Sequence, residues 1–330
     1  MGNTRKFKHI SSSENGIRII TYNILAPIAT KYSKKLNASC KNKCIKWQYR
    51  FNLIKREVLS YNPDIINFQE AQTSLVYTEI FPYFYSKGYQ GYYTPADSER
   101  QRKHNNQRNN FGVMILFKID RFYPLKFGMI DYPNLARNYV NESFHDRVDK
   151  RFCSCVLKLK DKKSNKQFFI LTVHLESNPL FTDIKNLQAY IIMKYIKKIS
   201  ESNKYPVILA GDFNSKPTSS AYIGITTGKS INKFDNEDLN YKRPFVNTPD
   251  KFTEYPLKSC YKEIYGKEPL YTNFTINFKD TLDYIFVNSK VKILGSLEEI
   301  DNSFSKKNKS IPNNNFPSDH FLQVADIELL

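Results

Sequence analysis

The chain has 330 residues, of which 41% are hydrophobic and 15% are aromatic. This composition excludes an intrinsically disordered chain, which would contain few aromatic residues and could not bury a core. Fifty Lys and Arg residues against 32 Asp and Glu residues give a formal net charge of +18. Such a charge attracts polyanions over long range, so a nucleic acid is a natural partner. Compositional drift toward Lys, Asn, Ile and Tyr is the alternative explanation.

The cysteines and the lack of long apolar runs restrict the class of protein further. Five cysteines, an odd number, argue against a disulfide framework and favour a reducing compartment. A zinc site built from Cys40, Cys44, Cys153 and Cys155 is an alternative, but their spacing lacks the paired Cys-x-x-Cys pattern. No run approaches the ~18 consecutive apolar residues of a membrane span, so we expect no membrane partner. A cytoplasmic location is the default expectation, and a nuclear one stays open.

Short apolar runs along the chain predict β-strands. In chain order these runs are 17–25, 65–68, 112–117, 152–159, 168–174, 206–210, 283–287 and 321–327. Helical patterns lie between several of them.

Two segments carry apolar residues at helical spacing. In the first, Trp47, Phe51, Ile54 and Val58 recur every three or four residues until an Asn-Pro pair ends the pattern. The second runs from 182 to 200 and has lysines near its end, where the helix dipole favours positive charge. Strands that alternate with helices predict an α/β fold.

The rest of the chain shows no internal repeat and no long linker. We therefore expect a flexible N-terminus over residues 1–15 and a single folded domain over residues 16–330. Two basic, asparagine-rich stretches, 97–110 and 303–315, are predicted to be exposed loops.

A set of polar residues lies at the ends of the predicted strands, where a rigid sheet can aim side chains at one point. Its members are Asn23, Glu70, His174, Asp212, Asn214, Asp283, Asp319 and His320. Several carboxylates in one cleft would repel each other without a cation, and an oxygen-rich set suits Mg²⁺. A histidine beside a carboxylate stays protonated and can stabilise a phosphate that gains charge. The set therefore indicates metal-assisted hydrolysis of phosphate esters, although each residue alone has an ordinary structural explanation.

The order and spacing of these residues resemble the endonuclease/exonuclease/phosphatase superfamily over nearly the entire chain. Within it, the chain looks most like the deadenylase branch, which includes carbon-catabolite-repressor-type deadenylases, nocturnin and the Angel proteins. The motifs that carry this likeness are Trp47-Gln-Tyr-Arg50, Tyr61-Asn-Pro-Asp-Ile-Ile-Asn-Phe-Gln-Glu70, Gly88-Tyr-Gln-Gly-Tyr-Tyr, His174-Leu-Glu-Ser-Asn-Pro179 with Gln188, Tyr271-Thr-Asn-Phe-Thr, Phe278-Lys-Asp-Thr-Leu-Asp283 and Phe-Pro-Ser-Asp319-His320.

The resemblance implies a fold and a division of roles. The fold is a four-layer α/β sandwich, with two mixed β-sheets packed face to face and helices on the outside, which makes residues 16–330 one catalytic domain. Glu70 would ligate Mg²⁺, with Asn23 and Asp319 near the ion. One or two ions are possible, and Mn²⁺ could substitute.

The resemblance also assigns the catalytic groups and a base site. Asp212 would orient or deprotonate the attacking water, and Asn214 would hold the phosphate. His174 and His320 would stabilise the developing charge, with Asp283 orienting His320. Pro179 and Phe278 occupy the positions that sandwich the terminal adenine in this branch, although Phe278 on its own fits a core aromatic.

The implied function is a Mg²⁺-dependent 3′-to-5′ exoribonuclease that acts on poly(A) ends of RNA and releases 5′-AMP. Other activities share the same motifs: a nocturnin-like NADPH 2′-phosphatase, a 2′,5′-oligoadenylate phosphodiesterase and a cyclic-phosphate hydrolase. A non-catalytic RNA-binding module is the alternative from another class.

The chain departs from the family pattern in three respects. It shows no leucine-rich-repeat arm for recruitment to a deadenylase complex. Asp280 stands where relatives usually have glycine, and Glu176 adds a carboxylate beside His174. Either carboxylate could repel a substrate phosphate near the entrance of the site.

Overall fold

The computed structural model describes residues 5–32, 42–96, 110–142, 145–149, 152–231 and 251–330. The strands are β1 (Phe7–His9), β2 (Ile17–Asn23), β3 (Ile65–Gln72), β4 (Tyr89–Pro95), β5 (Phe111–Lys118), β6 (Phe122–Gly128), β7 (Cys153–Asp161), β8 (Gln167–His174), β9 (Val207–Asp212), β10 (Lys258–Ser259), β11 (Asn273–Phe274), β12 (Lys279–Asp280), β13 (Asp283–Val287), β14 (Val291–Leu297) and β15 (Gln323–Leu329).

The helices are mostly short. They are α1 (Pro27–Tyr32), α2 (Trp47–Ser60), α3 (Thr73–Leu75), α4 (Phe81–Tyr85), α5 (Tyr132–Arg137), α6 (His145–Val148), α7 (Thr182–Ile199), α8 (Ser220–Thr227), α9 (Cys260–Tyr265) and α10 (Asn302–Lys307). A 3₁₀ turn (Asn42–Ile45) precedes α2, and a π-helical turn (Val76–Ile80) joins α3 to α4. Within the described parts of the chain, no helix combines the length and apolar character that a membrane crossing requires.

The strands form two mixed sheets and one small ribbon. The first sheet has the order β1-β14-β15-β2-β3-β5-β4, and the second has the order β10-β13-β9-β8-β7-β6. Each sheet contains one parallel pair, β2 with β3 in the first and β8 with β9 in the second. Strands β11 and β12 pair separately as a two-stranded ribbon.

The two sheets pack face to face over an apolar core. Ile19 and Ile115 of the first sheet share one cluster with Leu157 and Ile170 of the second, and all four are fully buried. These β-branched and leucine side chains alternate along their strands with residues that point to the other face of the sheet.

Helices cover the outer face of each sheet. On the first sheet, Ile54 and Val58 of α2 pack in one cluster with Phe68. On the second sheet, Leu187 of α7 and Ile225 of α8 belong to a cluster built on the outward side chains of β8 and β9. The layers therefore run helix, sheet, sheet, helix, which confirms the predicted four-layer sandwich.

Each predicted strand and both predicted helices are present, but two predictions need correction. Residues 303–315 are not simply an exposed loop, because α10 begins at Asn302 and Ile311 is fully buried in a cluster with Phe274 and Phe321. Within residues 1–15, Phe7–His9 forms the edge strand β1 and pairs with β14. Of the stretch 97–110, all but Asn110 lies outside the described residues.

The cysteines that suggested a zinc alternative take ordinary core positions where they are described. Cys153 and Cys155 are buried on one face of β7, in the cluster between the sheets. Cys40 lies outside the described residues.

The parallel pairs bring the functional residues to one edge of the two sheets. Asn23 at the end of β2 lies opposite Gln69 of β3, next to Glu70. In the second sheet, Asp212 at the end of β9 lies opposite both His174 of β8 and Asp283 of β13. The carboxyl ends of parallel strands meet at the same edge, so the sheet order alone assembles most of the set.

Gly211 allows this close approach of β9 to β8. Its φ is +149°, and a Cβ placed there would lie 2.2 Å from the carbonyl oxygen of Val173. We expect Gly211→Ala to lower the free energy of unfolding by more than about 2 kcal/mol, because the backbone of β8 or β9 must shift. Urea denaturation followed by circular dichroism measures this loss.

Gly88→Ala is the matched control, because its φ is +83° but no atom lies within 4 Å of an added Cβ. This variant should lower the free energy of unfolding by only about 1 kcal/mol, because alanine is disfavoured in the left-handed conformation. Equal losses in the two variants would contradict the steric argument.

Candidate active site

The carboxylate of Asp212 is the centre of the site. Its Oδ2 accepts a hydrogen bond of 2.9 Å from the side-chain amide of Asn23. The same oxygen lies 3.6 Å from Nε2 of His174 and 3.7 Å from Nε2 of His320. Its Oδ1 accepts the backbone N–H of Asn214 at 2.8 Å. Residues from both sheets therefore converge on one buried carboxylate.

Asp283 and His320 form a buried pair beside this centre. Nδ1 of His320 lies 2.8 Å from Oδ2 of Asp283, which also accepts the hydroxyl of Thr272 at 2.5 Å. Burial by itself lowers the pKa of the His320 imidazolium, but the charges of Asp283 and Asp212 outweigh it and raise the pKa well above its usual value. His320 is therefore a cation held with Nε2 toward Asp212.

Burial also raises the pKa of the Asp283 carboxyl, and the charge of His320 opposes that shift. The Thr272 hydroxyl accepts the backbone N–H of Asp283 at 3.0 Å, so it connects the side chain and the backbone of the same residue. This fixed position is what a residue that orients a histidine requires.

Glu70 and Asp319 form the acidic side of the site. The Asn23 amide donates to Oε1 of Glu70 at 3.3 Å, and Oε2 accepts the backbone N–H of Ala26 at 3.0 Å. Burial raises the pKa of Asp319 to about 6, with His320 opposing the shift and the charge of Glu70 adding to it. Crowded carboxylates of this kind are stabilised by a divalent cation, and their oxygens suit Mg²⁺.

A second set of possible ligand atoms overlaps the catalytic centre. Atoms of Asp212, Asp283 and His320 lie within 4.8 Å of one another. A protonated His320 has no lone pair to offer a metal ion, so the carboxylates of Glu70 and Asp319 are the better fit for one.

Asn214 is held in a left-handed conformation, with φ of +46°. Its side-chain amide donates to the carbonyl of Leu175 at 3.1 Å, and its own carbonyl accepts Nζ of Lys185 at 3.0 Å. A non-glycine residue adopts this conformation at a cost, and here three partners stabilise it. The side chain and the backbone of Asn214 are therefore both fixed beside Asp212.

Lys185 was not predicted as part of the site. It is buried in α7, and burial lowers the pKa of its ammonium while Glu176 and Asp212 raise it. Glu176 is itself buried, and its Oε1 accepts the backbone N–H of Asn178 at 2.9 Å. A lysine within an apolar helical segment was the only signal in the sequence.

Arg50 was recognised only as part of a motif, but the structure gives it a positioning role. It is fully buried and donates to the carbonyls of Ile24, Leu25 and Pro317 at 2.8, 2.7 and 3.1 Å. The first two carbonyls follow Asn23, and the third precedes Asp319. Arg50 therefore ties together the two loops that carry the acidic residues.

The two residues predicted to bind the base lie at the surface. Phe278 is 37% exposed in the turn of the β11–β12 ribbon, and its exposure argues against a plain core aromatic. Pro179 is exposed in the turn that precedes α7. Asp280 does not stand alone near this site, because its carboxylate lies 3.1 Å from Nζ of Lys216.

Comparison with known proteins places this site in a family. The model of the Endonuclease/Exonuclease/phosphatase family matches residues 20–320. The chain belongs to this family. Its members are hydrolytic nucleases and phosphatases, and the match spans each site residue from Asn23 to His320.

Several curated relatives of this family member are named as subunits of the CCR4-Not complex. The CCR4-Not complex 3′-5′-exoribonuclease subunit Ccr4 of Candida albicans is 29% identical over 98% of this chain and 42% of that protein. The Saccharomyces cerevisiae protein of the same name is 28% identical over 87% of this chain and 36% of its own length. The CCR4-NOT transcription complex subunit 6-like-B of Xenopus laevis is 26% identical over 94% and 63%. The chain thus spans less than two thirds of the length of each.

Solved structures of the family share the fold. ANGEL2, described as a 2′,3′-cyclic phosphatase in complex with adenosine-2′,3′-vanadate, superposes with a TM-score of 0.82 at 23% identity over 98% of both chains. The catalytic domain of human Nocturnin gives 0.69 at 24% identity over 99% of this chain and 98% of its own. These likenesses confirm the predicted architecture.

The pKa of His320 should depend on Asp283. We expect Asp283→Asn to lower the pKa of His320 in metal-free protein, because the variant removes a negative charge that opposes the effect of burial. Nuclear magnetic resonance titration of the imidazole signals measures the change. The surface variant Asp301→Asn should leave the titration as it is, and an unaltered His320 titration in Asp283→Asn would refute the pairing.

Proposed function

We propose that this chain is a Mg²⁺-dependent 3′-to-5′ exoribonuclease that removes adenylates from the ends of RNA and releases 5′-AMP. The observation that carries the proposal is the convergence of Asn23, His174 and His320 on the Asp212 carboxylate, with Asn214 beside it. The names of the Ccr4 relatives support the exonuclease direction and the RNA substrate. The net charge of +18 supports a polyanionic substrate.

Asp212 acts on the attacking water in this proposal. Its Oδ2 lies between Asn23, His174 and His320. From there it can accept a proton from the attacking water and hold the water oxygen in line with the phosphorus. The hydrogen bond from Asn23 fixes this carboxylate without adding charge.

His320 and Asn214 act on the phosphate. The buried imidazolium of His320 stabilises the negative charge that grows on the phosphoryl oxygens, and Asp283 keeps it protonated and oriented. Asn214 donates its second amide N–H to a phosphate oxygen. His174 approaches Asp212 from the opposite strand and adds a further polar contact.

Glu70, Asp319 and Asn23 are the residues that would hold Mg²⁺, as one or two ions, with Mn²⁺ as a substitute. When bound, the ion supplies positive charge that neutralises the carboxylates and polarises the phosphate. Glu70 is suited to this role because its φ of +57° turns its carboxylate away from the regular direction of β3. Backbone strain of this kind is commonly stored at functional sites.

Phe278 provides a face on which the terminal base stacks, with Pro179 as the proposed opposite face. Stacking on an aromatic ring contributes about 1–3 kcal/mol and accepts any base. Adenine preference therefore requires polar contacts to the edges of the base as well.

The decisive test is turnover of a 5′-labelled RNA with an oligo(A) tail, with Mg²⁺ and with EDTA. We expect shortening from the 3′ end through the adenylates, only with the metal. Parallel reactions use RNA with a non-adenylate end, NADPH, 2′,5′-oligoadenylate and RNA with a terminal 2′,3′-cyclic phosphate. Inert oligo(A) with turnover of one of these would move the function to that substrate. Binding without any turnover would favour a non-catalytic RNA-binding module.

The site assignment predicts that Glu70→Ala and Asp212→Ala lower kcat by about 10²-fold or more. RNA binding should be largely retained, because most of its free energy comes from basic residues and phosphate contacts. Turnover assays and fluorescence anisotropy with labelled oligo(A) separate the two effects. Glu201→Ala, an exposed carboxylate that follows α7, is the control and should behave as wild type. Normal kcat in both site variants would disprove the assignment.

The base site predicts a different result for Phe278→Ala. We expect kcat/KM for oligo(A) to fall about 5- to 100-fold, because the stacking free energy is lost. Hydrolysis of bis(4-nitrophenyl) phosphate, which has no base, should fall far less. Equal losses on both substrates would show that Phe278 stabilises the fold and does not bind the base.

A further inference from the structure

Strands β9 and β13 carry the catalytic aspartates and pair as an antiparallel ladder. Asp212 lies opposite Asp283, and the backbone N–H of Phe213 donates to the carbonyl of Leu282 at 2.9 Å. At this point the regular ladder ends. The two chain segments nevertheless continue side by side toward the surface.

Side chains extend the ladder beyond its last backbone hydrogen bond. The buried hydroxyl of Tyr284 lies 2.8 Å from the carbonyl oxygen of Ser215 and 3.0 Å from that of Thr281. One residue further out on each segment, Nζ of Lys216 lies 3.1 Å from the Asp280 carboxylate. The Lys216–Asp280 ion pair is therefore the outermost of these links.

This ion pair lies between the two parts of the proposed substrate site. Lys216 follows Asn214, the proposed phosphate ligand, by two residues, and Asp280 follows Phe278, the proposed base platform, by two residues. The Lys216 ammonium also lies 5.6 Å from the centre of the Phe278 ring, within range of a cation–π contact. The pair thus connects the segment that holds the phosphate to the turn that holds the base.

The β11–β12 ribbon, which carries Phe278 in its turn, is also bound to the acidic side of the site. The backbone N–H of Phe274 donates to the carbonyl of Asp319 at 2.9 Å, and Nζ of Lys279 lies 3.2 Å from the hydroxyl of Ser305. The ribbon is therefore connected to the acidic loop at one end and to the Asp212 segment through Lys216. This second connection adds to the Tyr284 links between the two segments, and its cation is also the one that lies over the Phe278 ring.

We propose that Lys216 and Asp280 are positioning residues that set the spacing between the base site and the phosphate site. Because a nucleotide has a fixed distance between base and phosphate, this spacing favours nucleotide substrates over phosphate esters that lack a base. The inference rests on the proposed function of the same site. The ion pair also offsets the negative charge of Asp280, the additional carboxylate near the entrance of the site.

The two single variants, Lys216→Met and Asp280→Asn, should weaken substrate binding to different extents. Lys216→Met removes the link and leaves an uncompensated carboxylate near the substrate, whereas Asp280→Asn removes the link and leaves a cation. The side chains are 51% and 29% exposed, so solvent screens the pair and the effects are moderate.

The experiment measures kcat and KM for oligo(A) and for bis(4-nitrophenyl) phosphate, together with the affinity for 5′-AMP by calorimetry. We expect KM for oligo(A) and Kd for AMP to rise about two- to fivefold in each single variant, more in Lys216→Met, while kcat for oligo(A) changes less. The ratio of kcat/KM for oligo(A) to that for the ester should fall. The charge-exchanged double variant, Lys216→Asp with Asp280→Lys, should recover most of the KM.

Lys258→Met is the matched control, because Lys258 also lies 3.1 Å from its partner Glu263 and is similarly exposed at 58%. It sits opposite Val287, at the end of β13 away from the catalytic residues, and should leave each of these values as in wild type.

If wild-type protein shortens oligo(A), two results would overturn the inference. The first is equal loss on oligo(A) and on the ester, and the second is a double variant no better than the single variants. If wild-type protein does not shorten oligo(A), the proposed function fails, and AMP affinity then decides the inference alone. Weaker AMP binding in the single variants and recovery in the double variant would support it, whereas no AMP binding by wild type would refute it.

Discussion

The structure depends on one electrostatic arrangement, a buried cluster of carboxylates compensated by a buried imidazolium. Asp212 and Asp283 flank His320, and each would be costly to bury alone. Burial alone would lower the pKa of the His320 imidazolium, but the charges of Asp283 and Asp212 raise it well above its usual value. Such a cluster stays ordered only when the backbone around it is rigid. The two surrounding sheets fix the positions of its side chains.

The two sheets supply this rigidity because each contributes a parallel pair that ends at the cleft. Gln69 of the first sheet donates to the hydroxyl of Thr172 in the second at 2.9 Å, just behind the site. Arg50 and Ser318 then join the loops that leave these strands, since the Ser318 hydroxyl donates to the Asn23 carbonyl at 2.6 Å. The left-handed backbones of Glu70 and Asn214 are tolerated because hydrogen bonds hold both residues, from Asn23 and Ala26 to Glu70 and with Asp212, Leu175 and Lys185 at Asn214.

The features that could be predicted were those that depend on the local sequence pattern. An apolar run gave β2 and helical spacing gave α7, both close to their observed bounds, because most side chains of each element are buried. Strands such as β6 escaped prediction because this edge strand exposes Tyr123, Leu125 and Lys126 and contains Pro124. The segment 303–315 was misassigned because its apolar residues are isolated among Asn and Lys, although Ile311 is buried by distant aromatics.

By itself, the sequence determined the α/β class, the polar residues at the strand ends and the hydrolytic chemistry that such residues support. These follow from local periodicity and from residue type, which need no knowledge of distant contacts. Only the tertiary structure decided that Arg50 reaches the Pro317 carbonyl, that Lys185 holds Asn214, and that Lys216 pairs with Asp280. Those contacts join residues far apart in the chain. No local pattern encodes which distant partner a side chain meets, because that depends on how the sheets and loops pack together.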